Sequence, residues 1–203
     1  MTDHMIRTES ELMALFGTPS EASLRKEVPA IHPVYRQWIE ASPFAVLATV
    51  GPGGVDTSPR GDPAPLARVV DEHTLLLPER RGNNRVDGLR NILANPAVAL
   101  QFFIPGVNET VRVNGRAAIS VAPDLLASFA VNGALPKCVI EVKVETVFFQ
   151  CARAFLRSGL WNPDQPARDV PSAGRILGAL TGSSVGGPDY DRELDTRLRT
   201  SLY

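Results

Sequence analysis

Between residues 43 and 151 the apolar residues recur at every second position or in short β-branched runs, and this alternation commits the middle of the chain to a sheet. The segment KCVIEVKVETVFFQC (137–151) is the longest strand candidate, with Val142 and Val144 set against Lys143 and Glu145, so that one face meets the core and the other meets water. PFAVLATV (43–50), the tight turn GPGG (51–54) and the partly polar VDTSPRGD (55–62) read as a hairpin. RVVDEHTLLLP (68–78) gives two short strands around a polar turn, the second ending at Pro78, which has no N–H to donate to a ladder. AVALQFFIPG (97–106) and ETVRVNGRAAISV (109–121) form the next hairpin, in which Gly115 interrupts the alternation like a bulge. One helix breaks the series. It begins near Val86 or Asp87, keeps Leu89, Ile92 and Leu93 on one face, and closes at Asn95-Pro96. Six or seven closely spaced strands with one mid-chain helix predict a small barrel with helical additions.

The flanks carry helical spacing. Within 1–42, Ser10 precedes Leu12, Met13, Leu15 and Phe16, and Gly17 with Pro19 stops that helix; a second runs from about Pro33 to Ala41 with Tyr35, Trp38 and Ile39 together. A short helix is expected near Pro123 to Ala130, and another from Arg153 to Leu160, ended by Trp161-Asn162-Pro163. Residues 164–171 read as a linker, and helical pieces at 172–181 and 190–202 flank GSSVGGPD (182–189). The expected organisation is an N-terminal helical extension over 1–42, a barrel domain over 43–163, and a C-terminal linker with helices over 164–203.

At 203 residues such a chain buries a core without disulfides or metals. It has no apolar run of the roughly 18 residues a membrane-spanning helix needs, and its first residues lack the basic cap and apolar stretch of a signal peptide, so a cytoplasmic protein is expected. Cys138 and Cys151 read as buried thiols, and His4, His32 and His73 lack metal-ligand spacing. With a formal net charge of −1, no global field favours nucleic acid, and any ligand argument rests on local charge.

Three places bring together residues suited to a ligand. Ser58-Pro59-Arg60-Gly61-Asp62 sits at a strand end, where Gly61 lets backbone approach closely and Ser58 and Arg60 supply donors; an ordinary strand-to-loop turn has the same composition. Arg80-Arg81-Gly82-Asn83-Asn84-Arg85 leads into a helix, whose free N–H groups attract anions, while Asp87 can cap the helix and repel them. In ARAFLRSGLW (152–161), Arg157 and Trp161 lie four apart and would share a helix face as cation and aromatic plane, or Trp161 is core. Arg112 and Arg116 share a strand face that lines a pocket or simply faces water. No GxSxG, GxGxxG or GxxxxGK[ST] occurs, which argues against hydrolase, Rossmann and ATP-type phosphate-loop chemistry.

In order and spacing, FAVLATVGPGGVDTSPRGD, LLLPERRGNNRVDGLRNILANPAVALQFFIPG, ETVRVNGRA and CARAFLRSGLW resemble the pyridoxamine 5′-phosphate oxidase-like flavoproteins over about residues 30 to 170, in particular an actinobacterial-type FMN-dependent branch of unassigned substrate. The resemblance implies a mainly β, α+β fold, a six-stranded antiparallel split β-barrel, working as a homodimer with FMN in a groove at the subunit interface. It implies that Ser58, Arg60, Gly61 and Asp62 lie near the ribityl chain and ring, that Leu77 and Pro78 pack at the ring side, and that Asn83, Asn84 and Arg85 approach the phosphate. Arg157, Ser158 and Trp161 of a partner subunit would close the pocket. Gln150 stands where this branch carries His, and Asp87-Gly88 does not match the Arg/Lys pair of the true oxidases. The implied activity is oxidoreduction of a small molecule, with NAD(P)H or dioxygen as second partner; the alternatives are a non-catalytic flavin-binding or storage protein and a deazaflavin-dependent reductase on the same barrel.

Overall fold

The computed structural model of the protein describes residues 4–166 and 169–203; the linker expected over 164–171 and the extension expected from residue 1 fall partly outside them. Seven strands follow the alternation in the sequence: β1 (Phe44–Gly51), β2 (Gly54–Gly61), β3 (Arg68–Asp71), β4 (Thr74–Glu79), β5 (Ala97–Phe103), β6 (Thr110–Ser120) and β7 (Cys138–Gln150). Eight helices accompany them among the described residues: α1 (Glu9–Phe16), α2 (Glu21–Arg25), α3 (Pro33–Ala41), α4 (Asp87–Ala94), α5 (Pro123–Ala127), α6 (Arg153–Ser158), α7 (Ala173–Leu180) and α8 (Pro188–Arg199). The strands make one antiparallel sheet in the order β2-β1-β5-β6-β7-β4-β3. This is the mainly β, split-barrel architecture expected, with seven strands instead of six. Among the described residues the two end strands, β2 and β3, are not paired with each other, so the barrel is open along one side.

The core follows from the pleat. Leu47, Leu100, Phe102, Val111, Val113, Ile140 and Val142 are fully buried on the inner face, and Ile39 and Tyr35 of α3 plug the same cluster. The β6–β7 ladder is the longest, and its register slips between Asn114 and Gly115, where the sequence indicated a bulge. Any side chain at Gly115 would run into the Lys143 carbonyl oxygen, so the close crossing there requires glycine. Both in-strand prolines sit where the ladder tolerates them. Pro59 lies on the edge strand β2, and Pro78 lies past the last β3 partner, since Arg68 pairs Leu76, leaving β7 as its only neighbour. For that reason β4 continues through Pro78 to Glu79.

Several local expectations are corrected. The α1 N-cap is Thr8, two residues before Ser10, because Thr8 and Glu11 complete a reciprocal capping box. Helix α6 stops at Ser158, where Gly159 turns left-handed at φ 63°, so Trp161 is off the helix and the Arg157–Trp161 face does not form. Cys138 is buried as expected, but Cys151, one residue past the end of β7, is exposed. No helix among the described residues is long and apolar enough to cross a membrane.

Candidate functional site

On β2 the alternation points Asp56, Ser58 and Arg60 inward while Val55, Thr57 and Pro59 face out. The inner face of this edge strand is therefore polar. The sheet curls until that face meets the end of β4, and side chains join across the opening where no ladder does. The Arg60 Nε donates to Glu79 Oε2 at 2.8 Å, while one Nη reaches Ser58 Oγ at 2.7 Å and the Pro59 carbonyl at 2.9 Å. With the two side chains only 14% and 19% exposed, this pair is sheltered. Burial pushes the Glu79 carboxyl above its ordinary range, against the downward pull of Arg60. Just beyond, the Arg80 Nε and Nη2 hold Asp62 Oδ2 at 2.8 and 2.7 Å, and its Nη1 donates to the Phe129 carbonyl. The Tyr203 hydroxyl donates to the other Asp62 oxygen at 2.8 Å.

The second wall is the loop into α4. Asn83 Oδ1 accepts from the Arg85 N–H, and the flanking residues Asn84 and Val86 are left-handed at φ 60° and 51°. For a β-branched valine that conformation is a true outlier. Val86 is the N-cap of α4 and offers no side-chain acceptor, so the first N–H groups of the helix lack a side-chain partner. Asp87 instead takes Arg85 at 2.8 Å and Arg90 at 3.8 Å, which removes part of the repulsion that a bare carboxylate would exert on an anion there. Helix α4 is positioned by Ile92 in the core and by Gly88, which packs beside Thr49 and Asp56.

Between these walls lies a groove of about 510 Å³, within the usual range of small-molecule sites. Ser58, Arg60, Gly61, Pro78, Asn83, Asn84 and Arg85 all line it, so the strand-end turn and the arginine-bearing helix start, 20 or more residues apart in sequence, meet in one cavity. Leu66, Pro78 and Leu89 supply apolar surface. Leu77 does not line the groove. It is fully buried in the core, because neighbouring residues of a strand face opposite ways and Pro78 takes the groove side. Asp62 is likewise off the groove lining, its carboxylate consumed by Arg80 and Tyr203.

Arg157, Ser158 and Trp161 are not among the residues lining the groove of their own chain. Trp161 stacks on Phe155 with ring centroids 5.9 Å apart, and Phe155, Phe103 and Phe44 continue the row, while the indole N–H donates to the Val107 carbonyl at 2.8 Å. Arg112 packs over the Phe148 ring and, like Arg116, stays away from the groove. Sequence reasoning missed Asp56, Glu79, Lys137 and Tyr203. The β2 alternation already implied Asp56, two residues before Ser58, but Lys137 and Tyr203 arrive through long-range packing that leaves no local signal.

An open antiparallel barrel with a polar, cation-rimmed groove at its seam defines a protein of the split-barrel class. The chain belongs to the pyridoxamine 5′-phosphate oxidase family, whose model matches residues 31–151. Among solved structures, HupZ of Group A Streptococcus is similar at 23% identity and a TM-score of 0.45, covering 59% of this chain and 93% of that one. An FMN-binding protein from Syntrophomonas wolfei is similar at 11% identity and a TM-score of 0.45, covering 70% and 93%. General Stress Protein 26 from Bacillus anthracis gives 18% identity and a TM-score of 0.43, covering 56% and 88%. No curated protein matches the chain.

Proposed function

We propose that this protein binds FMN in the seam groove and acts as an FMN-dependent oxidoreductase on a small molecule, as a homodimer. Family membership supports the reading. The observation that carries it is the convergence of the Ser58–Gly61 strand end and the uncapped start of α4 on one groove of suitable volume. The donor set also fits the cofactor. Asn83, Asn84, Arg85 and the first N–H groups of α4 suit a dianionic phosphate, Ser58, Arg60 and the Gly61 backbone suit the ribityl chain and the pyrimidine edge, and Pro78 suits the ring face.

FMN, when bound, supplies hydride or single-electron transfer. The chain's part is to hold, orient and exclude water. Arg60 is fixed by three acceptors and so offers its remaining N–H groups without reorganisation. Glu79, whose carboxyl burial pushes up against the pull of Arg60, lines the groove and fixes the Arg60 guanidinium. Arg157, Ser158 and Trp161 of a partner subunit would cover the open side. NAD(P)H or dioxygen would complete the turnover.

A second reading, flavin binding without catalysis, is favoured by one observation: no histidine, cysteine or tyrosine is among the groove-lining residues. Purified protein titrated with FMN should quench flavin fluorescence to a saturating endpoint and sediment as a dimer. Absence of quenching refutes flavin binding. Bound FMN that neither NADH nor NADPH reduces selects the non-catalytic reading, and preference for a deazaflavin in a parallel titration selects that cofactor.

A further inference from the structure

Helix α4 carries the anion-facing wall of the groove, yet its first turn has no side-chain cap, because its N-cap is Val86. What seats the helix lies on its other side, against β1. Thr49 of β1, only 3% exposed, turns its hydroxyl toward the helix and accepts a hydrogen bond from Asn91 Nδ2 at 3.1 Å. Two residues on along the same face of β1, Gly51 lies so close to the helix that any Cβ there would run into Asn91 Oδ1. One turn back on α4, Gly88 is buried beside the Thr49 side chain, and Ile92 enters the core. Gly88, Asn91 and Ile92 thus share the inner face of the helix. Among the described residues the Asn91–Thr49 bond is the one side-chain hydrogen bond between α4 and the sheet, and neither residue lines the groove.

We infer that Thr49 and Asn91 are positioning residues: their hydrogen bond fixes the register of α4 on β1, and through it the groove's preference for a phosphorylated flavin over the unphosphorylated one. The preference rests on the flavin reading; the fixed register does not. Apolar burial at Ile92 holds the helix against the sheet but has no direction, so it leaves the helix free to slide or rotate slightly. A hydrogen bond, with its narrow range of distance and angle, selects one register. Asn83, Asn84, Arg85 and the uncapped N–H groups move with α4, because they lie in its first turn or just before it. A displacement of about 1 Å takes an N–H···O contact out of its range of roughly 2.7–3.2 Å. Ser58, Arg60, Gly61 and Pro78 belong to β2 and β4, so the contacts proposed for the ribityl chain and ring are not carried by α4.

The test titrates FMN, and in a parallel arm riboflavin, which lacks the phosphate, into the natural protein and into Thr49→Val, Thr49→Ser and Asn91→Ala by flavin fluorescence. Thr49→Val removes the acceptor at nearly constant volume. Asn91→Ala removes the donor at a half-buried position with a residue that favours helix, so it decides if Thr49→Val fails to fold, which far-ultraviolet circular dichroism checks. The natural protein should bind FMN more tightly than riboflavin. Thr49→Val and Asn91→Ala should each weaken FMN about tenfold and riboflavin by less than about twofold, while Thr49→Ser, which keeps the hydroxyl, should stay within about threefold of the natural protein for both. Equal losses of the two flavins reduce the pair to a stabilising contact and overturn the inference. So does an FMN preference unchanged in both variants, or none in the natural protein. If the natural protein takes up neither flavin, the flavin reading has failed, and amide hydrogen exchange over residues 87–94 of the cofactor-free protein decides the register. Faster exchange in Thr49→Val and Asn91→Ala than in Thr49→Ser upholds it, and equal exchange removes it as well.

Discussion

Replacing Arg60 by methionine tests the seam most directly. Unit charges at the 2.8 Å separation of the Arg60–Glu79 pair attract by about 6 kcal/mol at an effective dielectric constant of about 20. Desolvation offsets most of that attraction, and removing one member of a buried pair costs about 3–5 kcal/mol, because a charge is left behind without compensation. Since the side chains retain 14% and 19% exposure, water recovers part of the cost, and a loss of about 2–3 kcal/mol is expected. At about 2–4 °C per kcal/mol for a chain of this size, the melting temperature should fall by roughly 5–10 °C. The loss has a definite pH dependence. Glu79 already has a raised carboxyl in the folded state, so its contribution favours folding at acid pH and is lost as pH rises through the folded-state value. Without Arg60 that value rises further, and the variant should be closer to the natural protein near about pH 5 than near about pH 8. The Arg60→Met/Glu79→Leu double variant, which removes the stranded charge, should regain most of the stability. Urea unfolding of the three proteins at both pH values decides. A double variant no more stable than Arg60→Met, or a loss equal at both pH values, refutes the reasoning.

Arg85→Ala should weaken FMN by about 1.5–3 kcal/mol in a fluorescence titration, whereas Asp87→Asn, which removes a like charge from the same helix end, should tighten it by about 0.3–1 kcal/mol. Leu77→Ala should cost about 2–5 kcal/mol of stability in a denaturation series while leaving FMN affinity nearly unchanged, because Leu77 faces the core and not the groove. Cys151 should be alkylated by iodoacetamide well before Cys138 at neutral pH, read by peptide mass spectrometry. Backbone hydrogen bonding from Arg153 holds the exposed Cys151 thiol below its ordinary range, whereas burial pushes Cys138 above it.

The fold was legible where a local rule governs it. Alternation, short β-branched runs and the turns between them marked the strands, and Gly115 marked the bulge, because the pleat and the missing Cβ act within a few residues. What escaped is decided by partners distant in sequence. Nothing near Gly61 says that Glu79 lies across from Arg60, and the Arg157–Trp161 register failed at a single left-handed Gly159. The site divides in the same way. Ser58, Arg60 and Asn83 to Arg85 could be read as donors in order, yet Asp62 is engaged by Arg80 and Tyr203, a competition visible only once the C-terminal segment has docked.

Because no backbone ladder closes the sheet between β2 and β3 among the described residues, its two halves are joined across that gap by side chains, Arg60 to Glu79 and Arg80 to Asp62. A molecule bound in that gap would act as a keystone, and its affinity would add to the resistance of the domain to unfolding. Side chains along this margin can also be exchanged without disturbing any strand pairing, which leaves one unchanged scaffold free to accept very different guests.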